Sequence, residues 1–82
     1  MIEILLFAQL REVLGCHRIE FAVAAGLTVA ALKTQLAARG DLWHLMFAEQ
    51  QVLCALNQTL CDDQQLVRAG DEVAFFPPVT GG

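Results

Sequence analysis

The sequence predicts an α+β fold, in which one main helix packs on one face of a mixed β-sheet. Apolar, strand-forming residues lie close to both ends of the chain, at 2–8 and 72–76. Between them, residues 29–39 show the apolar spacing of a helix and follow a capping residue. The chain has 82 residues, which is enough for one domain.

The N-terminal part of the chain predicts two paired strands with a short helix between them. Residues 2–8 form a dense apolar run that is typical of a central strand. Residues 9–14 have short helical character, which Gly15 ends. Residues 17–23 alternate imperfectly between apolar and polar side chains, and they predict a second strand that pairs with the first as a hairpin.

Two helices are predicted in the middle of the chain. Thr28 is a favourable N-cap for the main helix over residues 29–39, and Gly40 stands where a C-terminal glycine is expected. Asp41 is expected to cap a second, shorter helix. The apolar face of that second helix is predicted to carry Leu42, Leu45 and Met46.

The remaining segments predict three further strands. Residues 52–57 form one of them, Asn57-Gln58 a turn, and residues 59–61 a short strand. The last strand covers residues 72–76.

Pro77 and Pro78 are expected to stop the last strand, because proline cannot donate a hydrogen bond to a sheet ladder. If the first and last strands lie side by side in parallel, this order of elements gives a β-grasp, or ubiquitin-like, fold. The predicted organisation is a β-grasp domain at residues 1–76 and an extended C-terminal tail at residues 77–82.

Composition excludes several classes of function. The net charge is −4, and the five Lys and Arg residues are scattered, whereas nucleic-acid binding needs clustered cations. The apolar N-terminal segment lacks the basic start and cleavage region of a signal peptide. No apolar run approaches the roughly 18 residues of a membrane span. We therefore expect a soluble cytoplasmic protein that binds neither nucleic acid nor membrane.

The cysteines do not form a recognisable metal or cluster motif. Cys16, Cys54 and Cys61 are odd in number and widely spaced, so free thiols are expected, with Cys54 as a small buried hydrophobe. A plant-type iron–sulfur cluster needs four cysteines. A zinc site from Cys16, His17 and His44 is disfavoured, because strand neighbours point to opposite faces. No bound metal or cofactor is expected.

The C-terminal tail carries the strongest functional signal in the sequence. Gly81 and Gly82 have no Cβ, so they fit a narrow channel and leave the terminal carbonyl unshielded. The terminal carboxyl is ionised at neutral pH and is a poor electrophile. When the carboxylate is joined to the AMP portion of ATP, it becomes an acyl adenylate with a good leaving group. A sulfur nucleophile can then convert this adenylate to a thiocarboxylate. A small-residue ending is also typical of an ordinary disordered tail, but its place directly after a strand and Pro-Pro favours the functional interpretation.

Three segments resemble the small subunits of molybdopterin synthase, a family of ubiquitin-like sulfur carriers. They are residues 7–12 (Phe-Ala-Gln-Leu-Arg-Glu), residues 57–60 (Asn-Gln-Thr-Leu) and residues 70–82, which end in Phe-Phe-Pro-Pro-Val-Thr-Gly-Gly. The last segment separates this family from the thiamine-pathway carriers, which share little more than the Gly-Gly end.

The resemblance implies a β-grasp fold and a cycle of activation. An E1-like enzyme uses ATP to adenylate Gly82, and a sulfur donor protein supplies the sulfur of the thiocarboxylate. The tail then enters the large synthase subunit, which provides the catalytic side chains, in a heterotetramer of two small and two large subunits. Two such sulfurs are built into a cyclic pyranopterin precursor. The inserted residues would be Pro77, Pro78, Val79, Thr80 and Gly81.

Strand alternation predicts an exposed docking face. Glu3 and Glu72 are costly to bury unpaired, so their side of the sheet should face solvent. Phe7 and Phe76 fall on that side, and we expect them to contact both the activating enzyme and the large subunit. The patch is predicted to extend to Leu60, with Arg11 at its rim. The alternative is that the two rings fold into a second small core beneath a loop.

Two classes of function remain open from the residues alone. One is a sulfur carrier, and the other is a β-grasp interaction module or protein-modifying tag that never carries sulfur. Both can use a Gly-Gly terminus, since tags also need activation. The Phe-Phe-Pro-Pro-Val-Thr-Gly-Gly ending favours the carrier.

Overall fold

The computed structural model describes residues 1–78. The longest helix among these residues has nine residues, and no described helix is long and apolar enough to cross a membrane. In chain order, the elements are β1 (Ile2–Leu6), α1 (Ala8–Leu14), β2 (Arg18–Phe21), β3 (Leu27–Thr28), α2 (Val29–Ala37), α3 (Asp41–Ala48), β4 (Leu53–Leu56), β5 (Thr59–Cys61), β6 (Leu66–Val67) and β7 (Glu72–Phe76).

A mixed five-stranded sheet organises the domain, with the strand order β2-β1-β7-β4-β5. The first and last strands, β1 and β7, are parallel neighbours at its centre, with Ile4 beside Val73. The other pairs in this sheet are antiparallel. The predicted α+β fold with β-grasp topology is therefore confirmed.

The hydrophobic core lies on one side of this sheet, between the strands and the helices. Alternate side chains of β1 and β7 are fully buried, as the strand period requires. Burying one large apolar side chain contributes about 1.5–3 kcal/mol to folding. The central members of the core are Ile4, Leu6, Leu10, Val29, Leu32, Leu36, Val67, Val73 and Phe75.

The three residues predicted to end α1 and to form the β4–β5 turn behave as expected. Gly15 ends α1 in the left-handed conformation, with φ 74°, and its N–H donates to the Arg11 carbonyl. Asn57 and Gln58 join β4 and β5, and both have positive φ, at 50° and 70°. This is the backbone of a type I′ hairpin turn, which fixes the register of the two strands.

The short strands β3 and β6 are not predicted from the sequence. They pair Leu27 with Val67 in a separate two-stranded sheet. Two residues are too few to show a hydrophobic period, so this pairing leaves no sequence signal. It holds the 62–67 loop against the start of α2, where carbonyls of Asp63 and Gln65 accept the N–H groups of Ala30 and Val29. The first N–H groups of α2, which have no partner within the helix, therefore find acceptors in a segment distant in sequence.

The junction between α2 and α3 differs from the prediction. The structure ends α2 at Ala37, with Ala38 as a right-handed C-cap, so Gly40 is not its C-terminal glycine. Gly40 is instead the extended N-cap of α3. Asp41 is the first residue of α3 rather than its cap, and its carboxylate is favourable there because the helix dipole is positive at this end.

The buried face of α3 also differs from the prediction. Met46 is buried as predicted, but Leu42 is 52% exposed, Leu45 is also exposed, and Phe47 is buried instead of them. Phe47 packs edge-on against Phe75, with ring centroids 5.1 Å apart, which turns the leucines outward. Helical spacing alone cannot choose between two adjacent apolar stripes on so short a helix.

Replacing Thr28 with Ala should lower the free energy of unfolding by about 1 kcal/mol. The Thr28 hydroxyl accepts the N–H of Ala31 at 3.2 Å, and alanine removes this N-cap bond. Urea unfolding followed by circular dichroism measures the change. Thr34→Ala is the matched control, because Thr34 lies within the same helix and is exposed. Its hydroxyl donates a hydrogen bond to the Ala30 carbonyl and does not cap the helix. Equal losses in the two variants would contradict the capping role of Thr28.

Candidate functional site

The outer side of the main sheet carries a continuous apolar row. Leu5 of β1 lies beside Ala74 of β7, which lies beside Ala55 of β4, which lies beside Leu60 of β5. Residues paired across a sheet point to the same face, so these four side chains form one band across four strands. Leu60, on the edge strand, is 67% exposed.

Aromatic side chains extend this row at the end where β1 and β7 finish. Phe76 lies opposite Leu53, and both are half-buried. Phe7 is 46% exposed, and its N–H donates to the Phe75 carbonyl, which holds it beside the end of β7. We call the combined surface the open face; its members are Leu5, Phe7, Leu53, Ala55, Leu60, Ala74 and Phe76.

Neither Phe7 nor Phe76 joins the hydrophobic core of the described residues. The alternation of β7 buries Val73 and Phe75 fully and leaves Phe76 on the opposite side. Exposed apolar residues that share one face commonly mark a partner site. The structure places Phe76 on the side of β7 opposite the core, as predicted, and Phe7 is exposed just after the end of β1; the contact of both rings with partners stays a prediction.

The opposite end of the same sheet face is acidic. Glu3 of β1 is flanked by Glu20 of β2 and by Glu72 of β7. Arg18 donates to the Glu3 carboxylate at 2.8 Å, which balances one of the three charges. The face is therefore polarised along its strands, from acidic where β7 begins to apolar where β7 ends.

Arg11 lies on α1, one helical turn after Phe7, and its side chain is exposed. Within residues 1–78 its guanidinium forms no ion pair. It borders a shallow surface depression with Gly15, Cys16 and His17. The Arg11 side chain is therefore open to solvent, and its place at the rim of the docking patch stays a prediction.

The last described residues of the chain follow β7 at the apolar end of the open face. Strand β7 ends at Phe76, and Pro77 and Pro78 follow as half-buried residues outside the strand. The predicted reacting residue, Gly82, lies with Val79, Thr80 and Gly81 outside the described residues. An extended segment of four residues spans at most roughly 13–14 Å, which bounds the reach of the terminal carboxylate beyond Pro78.

A clamp of side-chain hydrogen bonds joins the 57–60 segment to the 68–72 segment. The sequence does not reveal this clamp. The Asn57 side chain accepts the N–H of Glu72 at 2.9 Å and donates to the Asp71 carboxylate at 3.1 Å. The other oxygen of Asp71 accepts the N–H of Arg68 at 2.8 Å. The clamp ties the β4–β5 turn to the start of β7, so these residues support the site rather than react. The turn itself was predicted from Asn57-Gln58, and the positive φ at Asn57 agrees with it, but no local pattern indicates the bonds to Asp71 and Glu72.

All three cysteines are free thiols. Cys54 is 2% exposed, which confirms its predicted burial. Burial, and then the hydrogen bond and charge of Cys61, raise the pKa of Cys54 to about 12. A thiol with this pKa is protonated at neutral pH and is a poor nucleophile. Among residues 1–78, no group of three or more His, Cys, Asp or Glu side chains is placed to hold a metal ion.

Comparison with known proteins agrees with this architecture. The ThiS family model matches residues 4–82 of the chain. The molybdopterin synthase sulfur carrier subunit of Escherichia coli (strain K12) is 49% identical over 83 residues, with 100% of both chains covered. The corresponding subunit of Haemophilus influenzae is 44% identical over 82 residues, also with 100% of both chains covered.

Solved structures show the same fold. The crystal structure of SAMP1 from Haloferax volcanii superimposes with a TM-score of 0.79 and 28% identity, over 99% of this chain and 98% of that one. The overall fold and the length of the match agree. The chain therefore belongs to the ThiS family, and it is similar over its whole length to molybdopterin synthase sulfur carrier subunits.

Proposed function

We propose that this chain is the sulfur carrier subunit of a molybdopterin synthase. The observation that carries the proposal is the 49% identity to the Escherichia coli sulfur carrier subunit over the full length of both chains. The chain supplies a carboxylate on Gly82 and a surface for docking, while the large subunit supplies the catalytic side chains. It is not an enzyme by itself.

The chemistry proceeds at the terminal carboxyl group. A carboxylate oxygen of Gly82 attacks the α-phosphorus of ATP on an E1-like enzyme, and pyrophosphate leaves. A sulfur nucleophile at the oxidation level of sulfide, supplied through the donor protein, then attacks the acyl carbon, AMP leaves, and a thiocarboxylate remains. In the synthase, the thiocarboxylate sulfur bonds to a carbon of a cyclic pyranopterin precursor and displaces an oxygen leaving group, and water then cleaves the acyl–sulfur bond, so that the carboxylate returns. The cycle belongs in the cytoplasm, and the carrier itself needs no bound cofactor.

The geometry of the open face supports delivery of the tail into a partner. Phe7 and Phe76 lie where β7 ends, so a protein that covers them also meets Pro77, the first residue after the strand. Both the activating enzyme and the large subunit must receive that tail. The same face therefore serves both partners in turn, and the carrier must leave one before it enters the other.

The acidic end of the sheet suits a basic counterpart. Glu3, Glu20 and Glu72 extend across three adjacent strands, with Arg18 as the paired cation. Complementary charge mainly sets orientation and the rate of association. In the proposed complexes, with two carrier and two large subunits in the synthase, this end orients the carrier so that the aromatic end faces the catalytic pocket.

Reconstitution with the activating enzyme, ATP and a sulfur donor tests the proposal. A thiocarboxylate replaces one oxygen by sulfur and adds about 16 Da, which oxidation of a methionine or cysteine nearly equals, so selective alkylation of the terminus is also required. Formation of molybdopterin with the large subunit completes the assay. Isopeptide conjugates on other proteins, without a thiocarboxylate, would instead identify a protein-modifying tag.

A variant with Cys16→Ser, Cys54→Ala and Cys61→Ser should retain sulfur delivery. The transferred sulfur is bound to the acyl carbon of Gly82, and no cysteine thiol takes part. Because Cys54 is buried, we expect a loss of stability on the order of 1 kcal/mol. Molybdopterin formed per carrier measures delivery, and thermal unfolding verifies the fold. Complete loss of transfer in the folded variant would point to a persulfide on a cysteine side chain.

A further inference from the structure

Two cysteines face one another across the β4–β5 hairpin. Cys54 and Cys61 are direct partners in the antiparallel register, and the Sγ of Cys61 lies 3.6 Å from the carbonyl oxygen of Cys54. Opposite residues in antiparallel strands have Cα atoms about 4.5–5.5 Å apart. This separation falls within the 4.4–6.8 Å range, roughly, of disulfide-bonded cysteines. The backbone already has the spacing that a disulfide requires.

The hairpin holds this pairing firmly. Its turn at Asn57 and Gln58 has the two positive φ angles that fix the register. The Asn57 side chain is further bound to the start of β7 through Glu72 and Asp71. A shift of one residue would separate the cysteines and turn one of them to the outer face.

We propose that Cys54 and Cys61 form a redox-active pair, which closes to a disulfide when a peroxide reaches Cys61. Cys61 lies on the edge strand β5 and is half-buried, whereas Cys54 is 2% exposed beneath it. The oxidant therefore meets Cys61 first, and Cys54 is positioned as the resolving thiol. Neither thiol has a role in the proposed sulfur cycle, so this inference does not depend on it.

Closure is balanced by reduction of the peroxide. The Cys61 sulfur attacks one oxygen of hydrogen peroxide and becomes a sulfenic acid, and water leaves. The Cys54 sulfur then attacks the Cys61 sulfur, the S–S bond forms, and a second water leaves. Two thiols lose two electrons in total, and one peroxide gains them.

The surroundings of Cys54 predict that the second step is slow at neutral pH and faster in alkaline solution. Burial is the main cause of its high pKa, and the Cys61 thiol and the Asp63 carboxylate act in the same direction. The Lys33 ammonium on α2 opposes them. Because the thiolate is the attacking form, the rate of closure should rise as the pH increases towards the pKa of Cys54.

A disulfide here would cross-link the hairpin directly beneath the open face. Leu53 and Leu60 are the chain neighbours of Cys54 and Cys61, and their side chains point to the outer side. The bond would therefore stiffen the edge of the surface that we propose for docking. Restricting the unfolded chain should raise the thermal midpoint by about 5 °C or more.

Peptide mapping of the full chain after peroxide treatment tests the pair. Trypsin cleavage after Arg39 and Arg68 releases residues 40–68, which contain both cysteines, while Cys16 falls in residues 12–18. The expected product is a 40–68 peptide that resists alkylation and is lighter than the reduced peptide by about 2 Da, the mass of two hydrogens. Dithiothreitol should restore both thiols and the original thermal midpoint.

Matched variants separate this pair from other oxidation products. Cys16→Ser should close as the unchanged chain does, whereas Cys61→Ser, or Cys61→Ala if serine impairs folding, should give neither the light peptide nor the rise in thermal midpoint. Each of three results would overturn the proposal: sulfinic acid on Cys61 with Cys54 still reduced, a cross-link to Cys16, or disulfide-linked dimers as the main product.

Discussion

Deletion of Gly82 is expected to abolish sulfur transfer while leaving the domain folded. The terminal carbonyl would move back by one residue, roughly 3.3–3.6 Å along an extended tail, and the activating enzyme and synthase would no longer reach it in the reactive geometry. Misplacement of about 1 Å can already cost roughly 100-fold in rate. Molybdopterin formed in the purified system should fall below detection. Thermal unfolding should be unchanged, because the core lies within residues 2–75.

Two further variants isolate the position of the terminus from the chemistry of the tail. One extra residue after Gly82 should be as damaging as the deletion, because it replaces the reacting carboxyl group by an internal amide. Leu42→Ala is the matched control, since Leu42 is exposed on α3 and its replacement preserves both the tail and the terminal glycine. If the deletion variant supported normal molybdopterin formation, the carrier function would have to be abandoned.

The central part of the fold is predictable because its signals are local and strong. The apolar run at β1, the capped helix at α2 and the strand at β7 each contain enough residues to reveal a period. When β1 and β7 pair in parallel, their buried side chains share one face of the sheet, and α2 packs over that face. The two-residue strands β3 and β6 have no period of their own, and their existence depends on tertiary contacts with the start of α2.

Packing between elements decides the features that the sequence left ambiguous. On α3, the stripe through Leu42 and the stripe through Phe47 are both apolar, and contact of Phe47 with Phe75 selects the second. Whether Gly40 ends α2 or begins α3 depends on the length of the link between the two helices. The sequence of neither helix alone determines that length. Boundary residues of this kind are therefore poorly determined by local pattern.

The candidate site was predictable to different degrees in its parts. Gly82 lies outside the described residues, so its role stays a prediction, whereas the side of Phe76 follows from strand alternation with the charged Glu72. The clamp between Asn57 and the start of β7 was not predictable, because it joins side chains to backbone groups of a segment distant in sequence.

Replacing Phe76 with Ala should weaken binding to both the activating enzyme and the large subunit by about 2 kcal/mol or more, which is roughly 30-fold in Kd. The ring lies on the open face beside the start of the tail, and it is outside the hydrophobic core of the described residues. Aromatic anchors of this kind often dominate the energy of an interface. Isothermal titration calorimetry with each purified partner measures the change. Phe7→Ala should act in the same direction, because Phe7 lies at the same end of the face.

Phe75→Ala is the matched control, because Phe75 is the chain neighbour of Phe76 on the opposite side of β7. It is fully buried and contacts Phe47, so its removal should cost about 3–5 kcal/mol of folding stability. Since a domain of this size has only about 5–15 kcal/mol in total, the fall in Tm should be large. Phe76→Ala should instead leave the Tm nearly unchanged, apart from the lost contact with Leu53 across the sheet. A large fall in Tm with unchanged affinity for both partners would show that Phe76 supports the fold and that the docking surface lies elsewhere.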